Sequence, residues 1–160
     1  ATFGVQYMRL VRKNCAKVYE EGTTFRMGEA VQLCDGTDVT IIASGYCVAE
    51  AYKAAAILKE AGVSARVFDM FCWKPIDRKA IIKAAQETGA IVTAENHNVL
   101  NGLGAAVSEV VVRNHPVPVE MIGVQDEFGE VGPLEYLAER FKLNASYIVE
   151  AAQKAIARKA

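Results

Sequence analysis

The fold is decided by residues 38–71, which read DVTIIASGYCVAEAYKAAAILKEAGVSARVFDMF. The stretch begins with a β-branched run at 39–43 and continues with apolar residues that recur every three or four positions as far as Leu58. Gly62 then offers the left-handed end of a helix, and a second apolar run follows at 63–71. This order predicts a strand, a helix and a strand, and strands joined through a helix lie parallel in one sheet.

Upstream of this unit the sequence predicts one more strand. Residues 30–34 are mostly apolar, and the segment 35–38 has the Asp, Gly and Thr composition of a tight turn. A tight turn between two strand-like runs is typical of a hairpin. Residues 30–34 are therefore expected to pair with residues 39–43 in antiparallel fashion.

Downstream, helices and strands continue to alternate. Asp77 is the expected cap of a second helix and Gly89 its stop, because a short carboxylate accepts from free amides and glycine tolerates a left-handed end. Residues 90–94 form a short apolar run, as in the buried middle of a parallel sheet. The remaining predicted elements are a helix over 102–114, a strand over 117–124, a helix starting at Pro133 and a helix capped by Asn144.

These elements predict an α/β fold: a three-layer α/β/α sandwich with a mixed sheet of about five strands, the first of them antiparallel. The chain has 160 residues, 52% hydrophobic, with 18 basic and 19 acidic side chains. This composition excludes intrinsic disorder. The balanced charge argues against nucleic acid or an anionic membrane as the main partner, because both favour clustered Lys and Arg.

Residues 1–22 do not fit the alternation. Residues 5–11 look like a strand, and the polar stretch that follows resembles a linker between domains. We therefore expect the domain proper to begin near Thr23, with the tail of another domain before it. The first residues also lack the basic start and apolar core of a secretory signal.

The cysteines and histidines show no spacing typical of a local metal or redox site, although the fold could still bring the two histidines together. No two cysteines have C-x-x-C spacing, and the two histidines are far apart in sequence. Reduced, packed thiols in a cytosolic protein are the expected state. The residues concerned are Cys15, Cys34, Cys47, Cys72, His97 and His115.

Gly102 and Gly104 open the predicted third helix, about 22 positions before the acidic Asp126. This spacing half-matches a dinucleotide fingerprint, in which glycines let a pyrophosphate approach the helix start. That fingerprint belongs in the first strand-to-helix turn, however, whereas these glycines follow the fourth strand. The alternative interpretation is that they permit a tight turn and close packing of the helix.

Glu95 and His97 follow the fourth strand at its carboxyl end, where open α/β sheets bind ligands. A carboxylate can orient a histidine that titrates near neutrality, so the pair could perform acid–base chemistry. Alternatively, both residues hydrogen-bond the turn or meet a neighbouring domain. The acidic loop that starts at Asp126 lacks the ligand spacing of a calcium loop and is interpreted as a solvated or interface loop.

Eight short motifs follow one another along nearly the whole chain. They are RLVR at 9–12, FRMGEA at 25–30, DVTIIASG at 38–45, FDM at 68–70, KPID at 74–77, ENHN at 95–98, GLGAAV at 102–107 and FGE at 128–130. In this order they resemble the C-terminal domain of transketolase, in the thiamine-diphosphate-dependent superfamily. The chain departs from that pattern at Val131, where a small hydroxyl residue is expected before Gly132.

The resemblance implies one part of a three-domain enzyme that moves a two-carbon ketol unit between sugar phosphates. Residues 1–13 would be the terminal strand of a preceding pyrimidine-binding domain, residues 14–22 a linker, and residues 23–160 the C-terminal domain. Thiamine diphosphate and magnesium would lie between the first two domains of opposite subunits, so this chain alone is expected to bind neither and to be inactive. Its expected partners are the remaining domains or a separate N-terminal subunit, in a cytoplasmic homodimer.

The resemblance also implies a substrate-phosphate site. In the family, an arginine at the end of that terminal strand contacts the phosphate; Arg12 matches the position and Arg9 is the second candidate. Two other functions stay open. One is another enzyme of the superfamily, a deoxyxylulose-phosphate synthase or a 2-oxo-acid dehydrogenase beta subunit. The other is a nucleotide-binding regulatory module that uses Gly102, Gly104 and Asp126.

Overall fold

The computed structural model describes residues 4–11 and 15–159 of the chain. At its centre is a five-stranded mixed sheet of order β1-β3-β2-β4-β5, in which β1 is antiparallel to β3 and the other pairs are parallel. The strands are β1 (Val31–Cys34), β2 (Val39–Ala43), β3 (Ala65–Asp69), β4 (Ile91–Asn98) and β5 (Val119–Val124). The helices are α1 (Cys47–Glu60), α2 (Arg78–Thr88), α3 (Leu103–Asn114), α4 (Leu134–Arg140) and α5 (Ala145–Ala157). The predicted fold class is confirmed.

Two hydrophobic cores lie on opposite faces of the sheet. Ile41 packs with α1 and α5 on one face, and its neighbour Ile42 packs with α2 and α3 on the other. Successive side chains of a strand point to opposite faces, so one strand serves both cores. All five residues of β2 are buried, which explains why its sequence is apolar rather than alternating.

The predicted hairpin between β1 and β2 is wrong. β1 pairs with β3, with Val31 opposite Asp69, and β3 separates β1 from β2. Both edges of β2 are taken by parallel strands, β3 and β4, so no edge is left for β1. The β1–β2 connection instead crosses the start of β3, where Gly36 lies directly against the backbone of Ala65 and Arg66.

The predicted helix ends are largely confirmed. Asp77 Oδ1 accepts from the amide of Ala80 at 2.9 Å, and Gly89 ends α2 with a φ of 66°. Asn144 precedes α5, but its side chain makes no capping hydrogen bond. The amide of Ala145 donates to the buried carboxylate of Glu50 instead, over 3.0 Å. This helix is therefore capped from α1, a contact that local sequence cannot reveal.

Residues 4–11 form no regular element in the structure. The strand predicted over 5–11 has no partner strand within the described residues, and its assignment to another domain stays a prediction. None of the helices in the described part of the chain is long and apolar enough to cross a membrane.

Candidate functional site

Glu95 is the centre of the candidate site. The strand β4 extends beyond the predicted 90–94 to Asn98, and its register with β5 shifts between Ala94 and Asn98. Glu95 lies in this irregular part and is completely buried. Its Oε2 accepts from the amide of Leu103 and its Oε1 from the amide of Gly104, each over 2.8 Å. The carboxylate thus accepts hydrogen bonds from two amides at the start of α3 that have no partner within the helix.

Gly102 and Gly104 make this arrangement possible. A Cβ on Gly102 would lie 2.1 Å from Glu95 Oε2, and a Cβ on Gly104 would lie 2.8 Å from the Met121 sulfur. The two glycines therefore permit the tight turn and the close approach of α3 to the sheet, as the packing interpretation requires. A dinucleotide pyrophosphate would have to accept hydrogen bonds from the same amides, which already donate to Glu95. This geometry therefore does not support the nucleotide-binding module.

His97 lies beside Glu95, with no hydrogen bond between the two side chains. Its Nδ1 is 3.7 Å from Glu95 Oε2, beyond hydrogen-bond distance, and donates to the carbonyl of Asn98 over 2.7 Å. The imidazole packs edge-on against the Trp73 ring, with 5.7 Å between centroids. Burial raises the pKa of Glu95, and its hydrogen bonds from the α3 amides act in the opposite direction. Both side chains thus shape the turn after β4.

Asp126 lies just after β5 and has a φ of 52°. The Asn98 amide group donates to Asp126 Oδ1 over 3.3 Å and so joins the ends of β4 and β5. The loop that follows carries Phe128 and Val131, which are 99% and 103% exposed. Within the described residues, no group of three or more His, Cys, Asp or Glu side chains could hold a metal ion. The interpretation of this segment as a solvated or interface loop stays a prediction.

Arg9 reaches the same edge of the sheet from the N-terminal segment. Its Nη2 donates to the backbone carbonyl of Asn96 over 3.0 Å. The Asn96 side chain faces the loop after β2, where its Oδ1 would lie 3.0 Å from a Cβ on Gly45. Arg12, the first candidate for phosphate binding, lies outside the described residues. The structure therefore brings Arg9 together with Glu95 and His97.

Asp69 lies at this edge as well, although the sequence did not single it out as a site residue. It ends β3, is only 6% exposed, and its Oδ2 accepts from the Tyr19 hydroxyl over 2.6 Å. Its Oδ1 has no hydrogen-bond partner within the described part of the chain. Burial raises the pKa of Asp69 above its usual range. The available signal was a carboxylate at the carboxyl end of a buried strand; in the sheet, Asp69 is level with Ala94, the neighbour of Glu95.

We expect Asp69→Asn to change how stability depends on pH. Because the folded-state pKa of Asp69 is raised above 3.8, its proton contributes stability that is complete below pH 3.8 and is lost as the pH rises through the folded-state pKa. The asparagine has no such loss and can still accept from Tyr19. The free energy of unfolding of Asp69→Asn minus that of the wild type should therefore increase with pH. Urea unfolding between about pH 3.5 and pH 8 measures this difference, and a constant value would contradict the expectation.

Known proteins of similar sequence match nearly the whole chain. The family model for transketolase, C-terminal domain, matches residues 28–148. The 6-deoxy-6-sulfo-D-fructose transketolase subunit of Clostridium sp. (strain MSTE9) is 45% identical over 98% of this chain and 48% of its own length. An apulose-4-phosphate transketolase subunit of Phocaeicola vulgatus is 50% identical over 76% of this chain and 39% of its own length. Several 1-deoxy-D-xylulose-5-phosphate synthases also match, at lower identity.

A solved structure with a similar sequence also has a similar fold. A split-gene transketolase, described as an inactive beta4 tetramer, matches with a TM-score of 0.90 and 44% identity. The match covers 93% of this chain and 49% of that chain. This chain thus spans about half the length, or less, of these transketolase relatives.

Proposed function

Because this chain belongs to the transketolase C-terminal domain family, we propose that it is the C-terminal part of a transketolase built from separate subunits. The likeness to a transketolase subunit over nearly the whole chain is the observation that carries this proposal. The match to a split-gene transketolase supports it. Synthases of the same superfamily match at lower identity and are the competing assignment.

In this proposal the chain supports dimer assembly and the architecture of an active site that transfers two-carbon ketol units between sugar phosphates. Thiamine diphosphate would supply the carbanion chemistry, with magnesium on its diphosphate, in other domains. The described residues do not fit thiamine diphosphate and magnesium. The amides of Leu103 and Gly104 at the start of α3 already donate to Glu95, and no group of three or more described His, Cys, Asp or Glu side chains could hold a metal ion. No step of the cofactor chemistry is therefore assigned to this chain.

The N-terminal residues are proposed to contribute to the substrate site. Residues 1–13 would complete a pyrimidine-binding domain, 14–22 would link it to the C-terminal domain at 23–160, and Arg12 or Arg9 would bind the substrate phosphate. The exposed position of Arg9 supports its part in this role. A guanidinium has five N–H donors, so the one hydrogen bond that Arg9 makes within the described residues, to Asn96, leaves capacity for a phosphate.

Arg12→Ala in the intact enzyme is expected to raise the KM for phosphorylated sugars by about 10- to 100-fold. Loss of a charge-assisted phosphate contact costs about 1.5–3 kcal/mol. Steady-state kinetics with the N-terminal subunit, thiamine diphosphate and magnesium measure the effect, with Arg9→Ala compared in parallel. An unchanged KM in both variants would contradict the phosphate assignment. Ketol transfer by this chain alone would contradict the proposed division of labour.

A further inference from the structure

The sheet has two outer strands, β1 and β5, and each is paired along only one side within the described residues. The other side of an outer strand presents N–H and C=O groups with which a further strand can pair, so copies of a protein can associate through it. In β1 this edge is short and irregular, because the strand has four residues and its register shifts between Gln32 and Cys34. In β5 the edge is longer, with six residues and a regular register with β4 from Val119 to Ile122. The edge of β5 is therefore the better template for a further strand.

The backbone groups of β5 alternate between β4 and the open edge. The amide of Ile91 donates to the carbonyl of Pro118, directly before β5, over 3.0 Å. At the other end of the strand, the amide of Val99 donates to the carbonyl of Val124, also over 3.0 Å. The even-numbered residues thus face β4, and the odd-numbered ones face outward, because successive backbone groups of a strand point to opposite sides. The residues that face outward are Val119, Met121 and Gly123.

The side chain of Gln125, which follows β5 directly, folds back over this open edge. Its Nε2 donates to the carbonyl of Gly123 over 3.0 Å and, at the longer distance of 3.5 Å, to the carbonyl of Met121. Because both partners are carbonyl oxygens, it is the NH2 group of the amide that faces them. Two of the three outward carbonyls of β5 thus already have a donor. The Gln125 amide takes the place that the backbone amides of a neighbouring strand would occupy.

A second copy of this chain is the partner that the open edge fits. Two copies of β5 related by a twofold axis would run antiparallel and place the same outward groups opposite each other, so the edge is complementary to itself. Such a pair would need the carbonyls of Met121 and Gly123 as acceptors, and Gln125 would have to release both of them. By symmetry the second copy would lose the same hydrogen bonds. Pairing is therefore opposed twice at each interface.

We propose that Gln125 is an edge-protecting residue, which keeps the open edge of β5 from pairing with the same edge of a second copy. It acts through the hydrogen bonds of its amide group rather than through its bulk. Its position directly after the strand lets it reach the carbonyls two and four residues earlier. The inference is independent of the proposed function, because it concerns only the edge of the sheet.

The test measures self-association of the intact protein by sedimentation equilibrium, with the oligomer that the wild type forms as the reference. One such hydrogen bond changes an equilibrium constant by about two- to tenfold, and at least two are lost at each interface. In Gln125→Ala we therefore expect the dissociation constant for pairing of two such oligomers to fall about 5- to 100-fold. Gln125→Met keeps the length of the side chain without its donor and should give the same fall. Gln153→Ala and Gln153→Met, at an exposed glutamine on α5, are the matched controls and should behave as the wild type.

Hydrogen exchange of the same proteins shows where the copies meet. As the concentration of Gln125→Ala rises, the outward amides of Val119 and Met121 should exchange at least about fivefold more slowly, because they donate to the other copy. Unchanged association of both Gln125 variants would overturn the proposal, and so would wild-type behaviour of Gln125→Met alone, because bulk would then suffice. Stronger association without protection of these amides would place the contact elsewhere and overturn it too. Protection of both amides in the wild type at every concentration would show that the edge is already covered, with the same consequence.

Discussion

Glu95→Ala is expected to lower the free energy of unfolding by about 3 kcal/mol. The substitution leaves the amides of Leu103 and Gly104 buried without the acceptor that now lies 2.8 Å from each. Each unpaired buried amide costs about 1–3 kcal/mol, and relief from burying the carboxylate offsets part of the sum. Urea unfolding followed by circular dichroism measures the change.

Two further variants separate capping from other roles of Glu95. Glu95→Gln keeps the size and one acceptor oxygen but turns an NH2 group toward the second amide, so we expect about half the loss. Glu109→Ala removes an exposed glutamate that forms an ion pair with Arg113 on the same helix, and should change stability by less than about 0.5 kcal/mol. If Glu95→Ala costs no more than Glu109→Ala, Glu95 does not hold the start of α3.

Gly36→Ala is expected to cost more than about 3 kcal/mol or to prevent folding. A Cβ at this position would lie 2.3 Å from the carbonyl carbon of Ala65 and 2.5 Å from the amide nitrogen of Arg66. These are backbone atoms at the start of a buried central strand, so they cannot move aside as the end of a flexible side chain would.

Gly129→Ala is the control for this experiment. A Cβ on Gly129 meets no atom within 4 Å, so the substitution should change stability by less than about 0.5 kcal/mol. Thermal unfolding of the two variants beside the wild type makes the comparison. Equal melting temperatures would show that the β1–β2 connection does not cross β3 as described.

The lengths and ends of several elements could be predicted from the sequence because they depend on neighbouring residues. The run 39–43 matches β2 to the residue, and Asp77 and Gly89 end α2 as expected. A cap accepts from an amide three positions away, and a left-handed glycine acts within one turn. Such short-range chemistry is contained in a short stretch of the chain.

Part of the candidate site could be predicted for a related reason. Parallel strands joined by helices bring their carboxyl ends to one edge, so Glu95 and His97 were predicted to lie at the edge where open α/β sheets bind ligands. Their roles were not predictable, because the two oxygens of Glu95 select amides in α3 rather than the His97 ring. That choice depends on how closely α3 approaches the sheet, a distance that Gly102 and Gly104 permit only in the folded protein.

By itself, then, the sequence determined the elements, their order and the edge of the sheet where polar groups meet. Tertiary structure alone decided that β1 pairs with β3, that Glu50 caps α5 and Glu95 caps α3, and that the Tyr19 hydroxyl donates to Asp69. The physical reason is that a strand edge or a buried carboxylate can be satisfied by any matching donor. The packing of segments that are remote in sequence decides which donor lies within hydrogen-bond distance.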